Sequence, residues 1–232
     1  MAHLQYDLIV VGAGIYALQA LRTYLDIHPA VNVFALEADD GAGRVWSEKR
    51  FYHDFWTQLS FGCCDFSDRP MKRPAEEDLR YGLFDAKYVP PNDRSIAFVG
   101  FISLVNNFLG AEWQALWATA WLDHSPLLQI PSPLHMKRRI AYDTQWSRRR
   151  YPYSSEISGT TYDLECIPYG DWLMAELGLT SHVRGLSWWQ YWTSVNCQSR
   201  YAGLVPEYKD KLVASGKTCN LATGYFQNEA VQ

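Results

Sequence analysis

The sequence predicts an α/β fold, with a reduced parallel-sheet unit at its N-terminal end and a mainly helical C-terminal part. Three observations carry this expectation. Residues 5–11 form a nearly continuous apolar run, as a short strand buried on both faces requires. Leu18, Leu21 and Leu25 then recur at helical spacing. Val31 to Leu36 form a second apolar run, so strand, helix and strand follow one another within the length of a βαβ unit.

The boundaries have local causes. The first run ends in Gly12-Ala13-Gly14, and His28-Pro29 stops the helix that follows. Glu37 closes the second strand. Residues 38–58 are turn-rich and then aromatic. Residues 67–94 carry Pro70, Pro74, Pro90, Pro91 and many charges, and read as an irregular linker with a helical turn or two. Ile96 to Phe101 predict a third strand. A long helix is expected from about Ser103 to Leu122, with Trp113, Trp117 and Trp121 at i, i+4 and i+8. Beyond Pro131 the periodicity weakens. Lys137-Arg138-Arg139 and Arg148-Arg149-Arg150 read as solvated faces or carboxylate partners. A further helix is expected within 168–182, ending near Gly178. Trp188, Trp189 and Trp192 lie on a short segment, and the final fifteen or so residues are polar and loose. This divides the chain into residues 1–125, the βαβ-based part, and 126–232, a helical and irregular extension packed on the same domain.

Composition narrows the function classes. The 232 residues suit one domain, or one domain with a large appendage. With 48% hydrophobic and 20% charged residues, wholesale disorder is excluded. A net charge of −4 is no electrostatic match for nucleic acid. Aromatic residues reach 15%, which suits either large apolar pockets and interfaces or an aromatic-rich core. The five cysteines form no C-x-x-C pair and no Cys/His zinc spacing, so no metal is expected, and a reducing, cytoplasmic setting is. No apolar run reaches the roughly 18 residues that span a bilayer.

One motif carries chemistry. Gly12-x-Gly14-x-x-Ala17 follows a strand and opens a helix, and Glu37 lies 20 positions after Ala17. Gly12 permits a tight turn. Gly14 lets the backbone approach a pyrophosphate, and Ala17 allows close helix–strand packing. The helix N-terminus offers unpaired N–H groups to phosphate, and Glu37 can accept from a ribose hydroxyl. The whole is a Rossmann-like dinucleotide fingerprint.

Together with Gly41-x-Gly43-Arg44-x-Trp46, these residues resemble the FAD-binding N-terminus of flavin-containing monooxygenases, especially fungal ones of secondary metabolism. Phe55-Trp56-Thr57-Gln58 and Phe66 to Met71 continue the resemblance. Ser95 to Gly100 followed by Glu112 to Trp117 is similar to the family's final FAD-domain strand and helix. Arg150-Tyr151-Pro152-Tyr153 and residues 170–182 are similar to its C-terminal part. The resemblance implies a reduced Rossmann-like FAD-binding domain, with Gly12, Gly14, Ala17, Glu37, Gly43 and Arg44 at the cofactor. In the family an NADPH-binding domain lies between the segments matching residues 85 and 95, where this chain has only Ala86 to Arg94 and no second glycine fingerprint. FAD is then either bound or vestigial, and self-sufficient NADPH-driven oxygenation is not expected.

Three functions follow. The first is a non-redox enzyme on this scaffold, promoting cyclisation, isomerisation or cycloaddition of a bulky apolar substrate of terpenoid or polyketide type. Holding a reactive conformer supplies much of such a rate enhancement. Trp46, Trp56, Gln114, Trp117 and Trp121 would bind the substrate, and His53, Gln58 or Tyr52 would polarise a carbonyl. The second is a FAD-binding oxidoreductase or monooxygenase reduced by a separate partner. The third is a non-catalytic binding module. A shortened sheet exposes an edge, which a homodimer would cover.

Overall fold

The computed structural model describes residues 5–44, 47, 50, 66–68, 94–100, 102, 104–151, 161–180, 186–193 and 198–216. Strand β1 (Leu8–Val11), helix α1 (Ile15–Ile27) and strand β2 (Val33–Leu36) form the expected βαβ unit. The strands pair in parallel, with Leu8 opposite Val33 and Val11 opposite Leu36. Among the described residues this two-stranded sheet is the only sheet, and the described part is mostly helical around it.

The third strand expected at 96–101 does not form over the described residues 96–100. Residues 96–98 have no regular structure, and Gly100 turns with φ +86°. The segment is held instead by the body of the fold: the Gly100 N–H donates to Gln114 Oε1 at 2.5 Å. An apolar run becomes a strand only where a neighbouring strand takes up its backbone groups.

Helix α2 (Asn107–Leu122) starts later than expected, because Asn106 caps it by accepting from the Leu109 N–H at 3.1 Å. It is the central element of the fold. Trp113, Ala111 and Ala120 are fully enclosed, as befits a helix that is apolar on every side. It packs against α1 and against α4 (Cys166–Glu176). Arg94 closes its C-terminal end, donating to the carbonyls of Trp121 at 2.9 Å and Ala120 at 3.3 Å while its guanidinium lies 5.0 Å over the Trp121 ring. His28 Nε2 lies 2.6 Å from Asp123 Oδ2, both side chains buried, which pins the end of α1 to the end of α2.

Helix α3 (Pro133–Arg150) stands where the periodicity weakens, within the extension expected to be helical and irregular. Its start follows ordinary rules. Ser132 accepts from the His135 N–H at 3.3 Å, and Pro133 occupies the first turn. Arg148, Arg149 and Arg150 fill its last turn, where cations oppose the helix dipole. Helix α5 (Trp188–Thr193) carries the tryptophan segment. Helix α6 (Leu204–Ala214) brings Leu204, Tyr208 and Leu212 into the core beside Trp113, Trp121, Met174 and Leu177. The final fifteen residues lie outside the described residues. No helix among the described residues is long and apolar enough to cross a membrane.

Candidate functional site

The predicted cofactor residues converge at the C-terminal ends of β1 and β2. Gly12 has φ +102°, a conformation that any Cβ would strain, and its N–H extends the strand ladder to the Leu36 carbonyl at 2.6 Å. The space left free by its missing side chain borders Ala17, whose Cβ is 4.0 Å from where a Gly12 Cβ would stand. Gly14 is the N-cap of α1 and places no side chain on its first turn, and no acidic residue occupies that turn. The first N–H groups of α1 therefore have neither a side-chain cap nor a carboxylate of their own.

A second turn folds over the first. The Gly43 N–H donates to the Ala13 carbonyl at 2.7 Å, and Arg44 takes a left-handed conformation with φ +47°. Its side-chain carbons pass over Gly14, where a Cβ would meet Arg44 Cδ at 3.2 Å. Ser47 fixes this turn by donating its hydroxyl to the Arg44 carbonyl at 2.7 Å, and Arg50 pairs with Asp39. The result sets an exposed guanidinium beside an uncapped helix start, a donor set suited to a diphosphate.

Glu37 stands next to it. Its Oε2 accepts from the Ala13 N–H at 2.5 Å, and its Oε1 accepts from the N–H groups of Ala38 at 2.8 Å and Asp39 at 3.1 Å. The Asp39 and Ala13 amides, with the Arg44 charge nearby, hold this carboxyl below its ordinary range. A constantly ionised acceptor at this place fits a ribose hydroxyl. The donor set, the glycine turn and the acid together fit the adenosine diphosphate portion of FAD, which Gly12, Gly14, Ala17, Glu37, Gly43 and Arg44 would hold.

The substrate residues expected on α2 fare differently. Trp121 is only 1% exposed and belongs to the core. Trp117 is half-buried, stacks on Trp121 at 5.6 Å and donates its indole N–H to Glu176 Oε2 at 2.8 Å. Gln114 is buried and holds the Gly100 turn. Trp121 and Gln114 thus pack and hold the fold, while Trp117 keeps part of its ring exposed. Trp46, Tyr52, His53, Trp56 and Gln58 lie outside the described residues.

Sequence reasoning missed Tyr16, which occupies a variable position of the fingerprint. Its ring fills the space a Gly100 side chain would need, 2.3 Å from that Cβ position, and its hydroxyl donates to Asn107 Oδ1 at 2.6 Å. It also missed two cavities. One, about 460 Å³, lies between α1, α2 and α6 and is lined by Arg22, Asp68, Glu112 and Lys209 among others. Another, about 340 Å³, lies between α3 and α4. The second had a readable signal: Arg139, Tyr142 and Trp146 share one face of a helix by spacing alone. Among the described residues no cluster of His, Cys, Asp and Glu could hold a metal ion.

Comparison with known proteins gives partial matches. The FAD-dependent monooxygenase resA of Aspergillus sclerotiorum is 33% identical over 110 residues, 47% of this chain and 18% of that protein. A FAD-dependent monooxygenase of Pyrenophora dematioidea is 40% identical over 68 residues, 29% of this chain and 12% of that protein. The FAD-dependent monooxygenase avaB of Aspergillus versicolor is 29% identical over 144 residues, 56% of this chain and 19% of that protein. No family model matches the chain, and no solved structure matches it significantly. The chain thus spans less than a fifth of the length of these relatives. Over the matched part, it is related to fungal FAD-dependent monooxygenases.

Proposed function

We propose that this chain binds FAD across the Gly12–Ala17 turn and acts in oxidative secondary metabolism, its flavin reduced by a separate partner. The observation that carries this reading is the cradle itself: a left-handed Gly12, an uncapped α1, an overlying Arg44 and an ionised Glu37 in one place. Bound FAD would supply two-electron redox chemistry. The chain's own residues would bind and orient it: the α1 amides and Arg44 the diphosphate, and Glu37 the ribose. A bulky apolar substrate and a cytoplasmic setting complete the reading. So does a second copy of the chain over the sheet, where Ile9, Val11, Phe34 and Leu36 are exposed.

A second reading is favoured by one detail of Glu37. Three amides of its own chain already satisfy this carboxylate, so the turn keeps its shape without a nucleotide. The scaffold would then serve non-redox cyclisation, isomerisation or cycloaddition of an apolar precursor.

Titration with FAD, followed by flavin fluorescence, separates the two. Uptake of FAD by the native chain and its loss in Gly12→Val, with the helical circular dichroism retained, is expected from the first reading. A chain that takes up no FAD, yet converts an apolar precursor to an isomer of the same mass, sinks the first reading and leaves the second.

A further inference from the structure

The cavity between α3 and α4 has no part in the FAD cradle, and its walls are unusual for a solvent-facing cleft. Four aromatic side chains follow one another along it. The Trp146 and Tyr162 rings lie 5.5 Å apart at 26° to each other. Tyr162 and Tyr169 follow at 5.9 Å and 38°, then Tyr169 and Trp172 at 6.3 Å and 59°. Tyr142, 66% exposed, stands at the rim. The opening is therefore lined mainly by aromatic rings, with Ile102 and Ile140 beside them. Such a wall favours a flat π-system, because ring faces attract ring edges and offset faces.

The charges around the cleft are neutralised locally. Arg139 Nε pairs with Asp143 Oδ2 at 2.7 Å, and Glu165 is held by Arg150 at 3.2 Å and by the Tyr151 hydroxyl. A charged ligand would have to compete with these pairs, whereas an uncharged one leaves them intact. One polar group remains directional. The Arg139 guanidinium lies 5.0 Å over the Trp172 ring, and among the described residues only its Nε is hydrogen-bonded. Its terminal N–H groups are free to donate to an oxygen at the mouth of the cleft. The volume, about 340 Å³, falls at the small end of ligand cavities.

We infer that the α3–α4 cleft is a binding site for a small, flat, uncharged aromatic molecule carrying a carbonyl oxygen. The Trp146 ring stacks on its plane, and Arg139 donates to its oxygen. The site is separate from the cradle and stands whether or not FAD binds there.

The test uses the full chain and 2-acetylnaphthalene as probe, with its saturated, non-planar counterpart 2-acetyldecalin as control, read by ligand-observed saturation-transfer NMR. The expected result is binding of the planar probe and weaker binding of the saturated one. Trp146→Leu should weaken the planar probe about tenfold. Tyr142→Ala, at an exposed position that leaves the fold intact, should weaken it by a smaller factor. Arg139→Gln should weaken 2-acetylnaphthalene while leaving 2-ethylnaphthalene, which has no carbonyl, unchanged. Trp189→Ala, an exposed ring on α5, should change nothing. Equal binding of the two probes overturns the proposal. So does unchanged binding in both Trp146→Leu and Tyr142→Ala, or displacement of the probe by excess FAD.

Discussion

Two glutamates mark the difference between the two halves of this molecule. Glu37 sits in the cradle, where three backbone amides point at its carboxylate and hold its pKa low. Glu112 sits on α2 in the helical body, where burial pushes its carboxyl up to about 7 despite the Ser67 N–H at 2.9 Å. The same side chain is a fixed anion in one place and half-protonated near neutrality in the other. The cradle is built from backbone polarity and turn geometry, and it leaves apolar strand residues in water, with Val11 81% exposed. The body is built from packed side chains, with Trp113 fully enclosed, and it tolerates polar groups poorly. Chemistry that needs charge belongs at the first, and stability resides in the second.

The largest effect is expected from breaking the body. Trp113→Ala should cost about 3–5 kcal/mol, measured by denaturant unfolding, because its ring packs against Gly170 and Tyr201 with no solvent access. The cradle should bear none of this loss directly: where the variant remains folded, FAD uptake should stay within about twofold of the native chain. A variant that loses FAD binding at full folding would erase the distinction between the halves.

Next comes Glu112. Its folded pKa lies above the unfolded value, so the folded state binds the extra proton and the native chain should lose stability as pH rises from about 4.5 through 7. The loss at higher pH is up to about 3 kcal/mol. Glu112→Gln should flatten this dependence and stabilise the chain at pH 8, read from melting curves across pH. Glu37 carries the opposite sign: its contribution is present above its unfolded pKa and fades as acid titrates the folded carboxylate. A native stability curve that rises between pH 5 and 7 would contradict the placement of Glu112.

The smallest structural effect, and the sharpest functional one, is expected at Arg44. Its head is exposed, so Arg44→Ala should move the melting temperature by no more than a degree or two. FAD affinity should fall about tenfold through loss of a charge-assisted contact to phosphate. An unchanged affinity would mean that the second turn does not face the diphosphate.

The sequence made the cradle legible because its requirements are local. A positive φ at Gly12, a small Ala17 and an acid closing β2 are each stated by a single residue at a fixed spacing. The same reasoning stopped at longer range. The run Ile96 to Phe101 is apolar enough for a strand, but its fate depended on whether another strand lay beside it; the segment instead donates from Gly100 to Gln114. The tryptophans of α2 announced a helical stripe, but nothing in their spacing says whether the stripe faces a cleft or a core. Residues from α4 and α6, far along the chain, decided it by covering the helix. Helix α3 was obscured by its polarity, although Ser132 and Pro133 together form a readable start signal.

The seam between the halves has an evolutionary consequence. Gly100 is held from one side by the Tyr16 ring and from the other by Gln114, and the ring already occupies the volume of any larger residue. Arg44, by contrast, is exposed, and only its side-chain carbons lie against the Gly14 turn. In a saturation scan for folding, position 100 should therefore admit glycine alone, while position 44, at φ +47°, should exclude proline and the β-branched residues but accept many others. The inventory of permitted residues along this chain would then trace the seam, and mutational drift would accumulate at the rim of the cradle long before it reached the joint beneath.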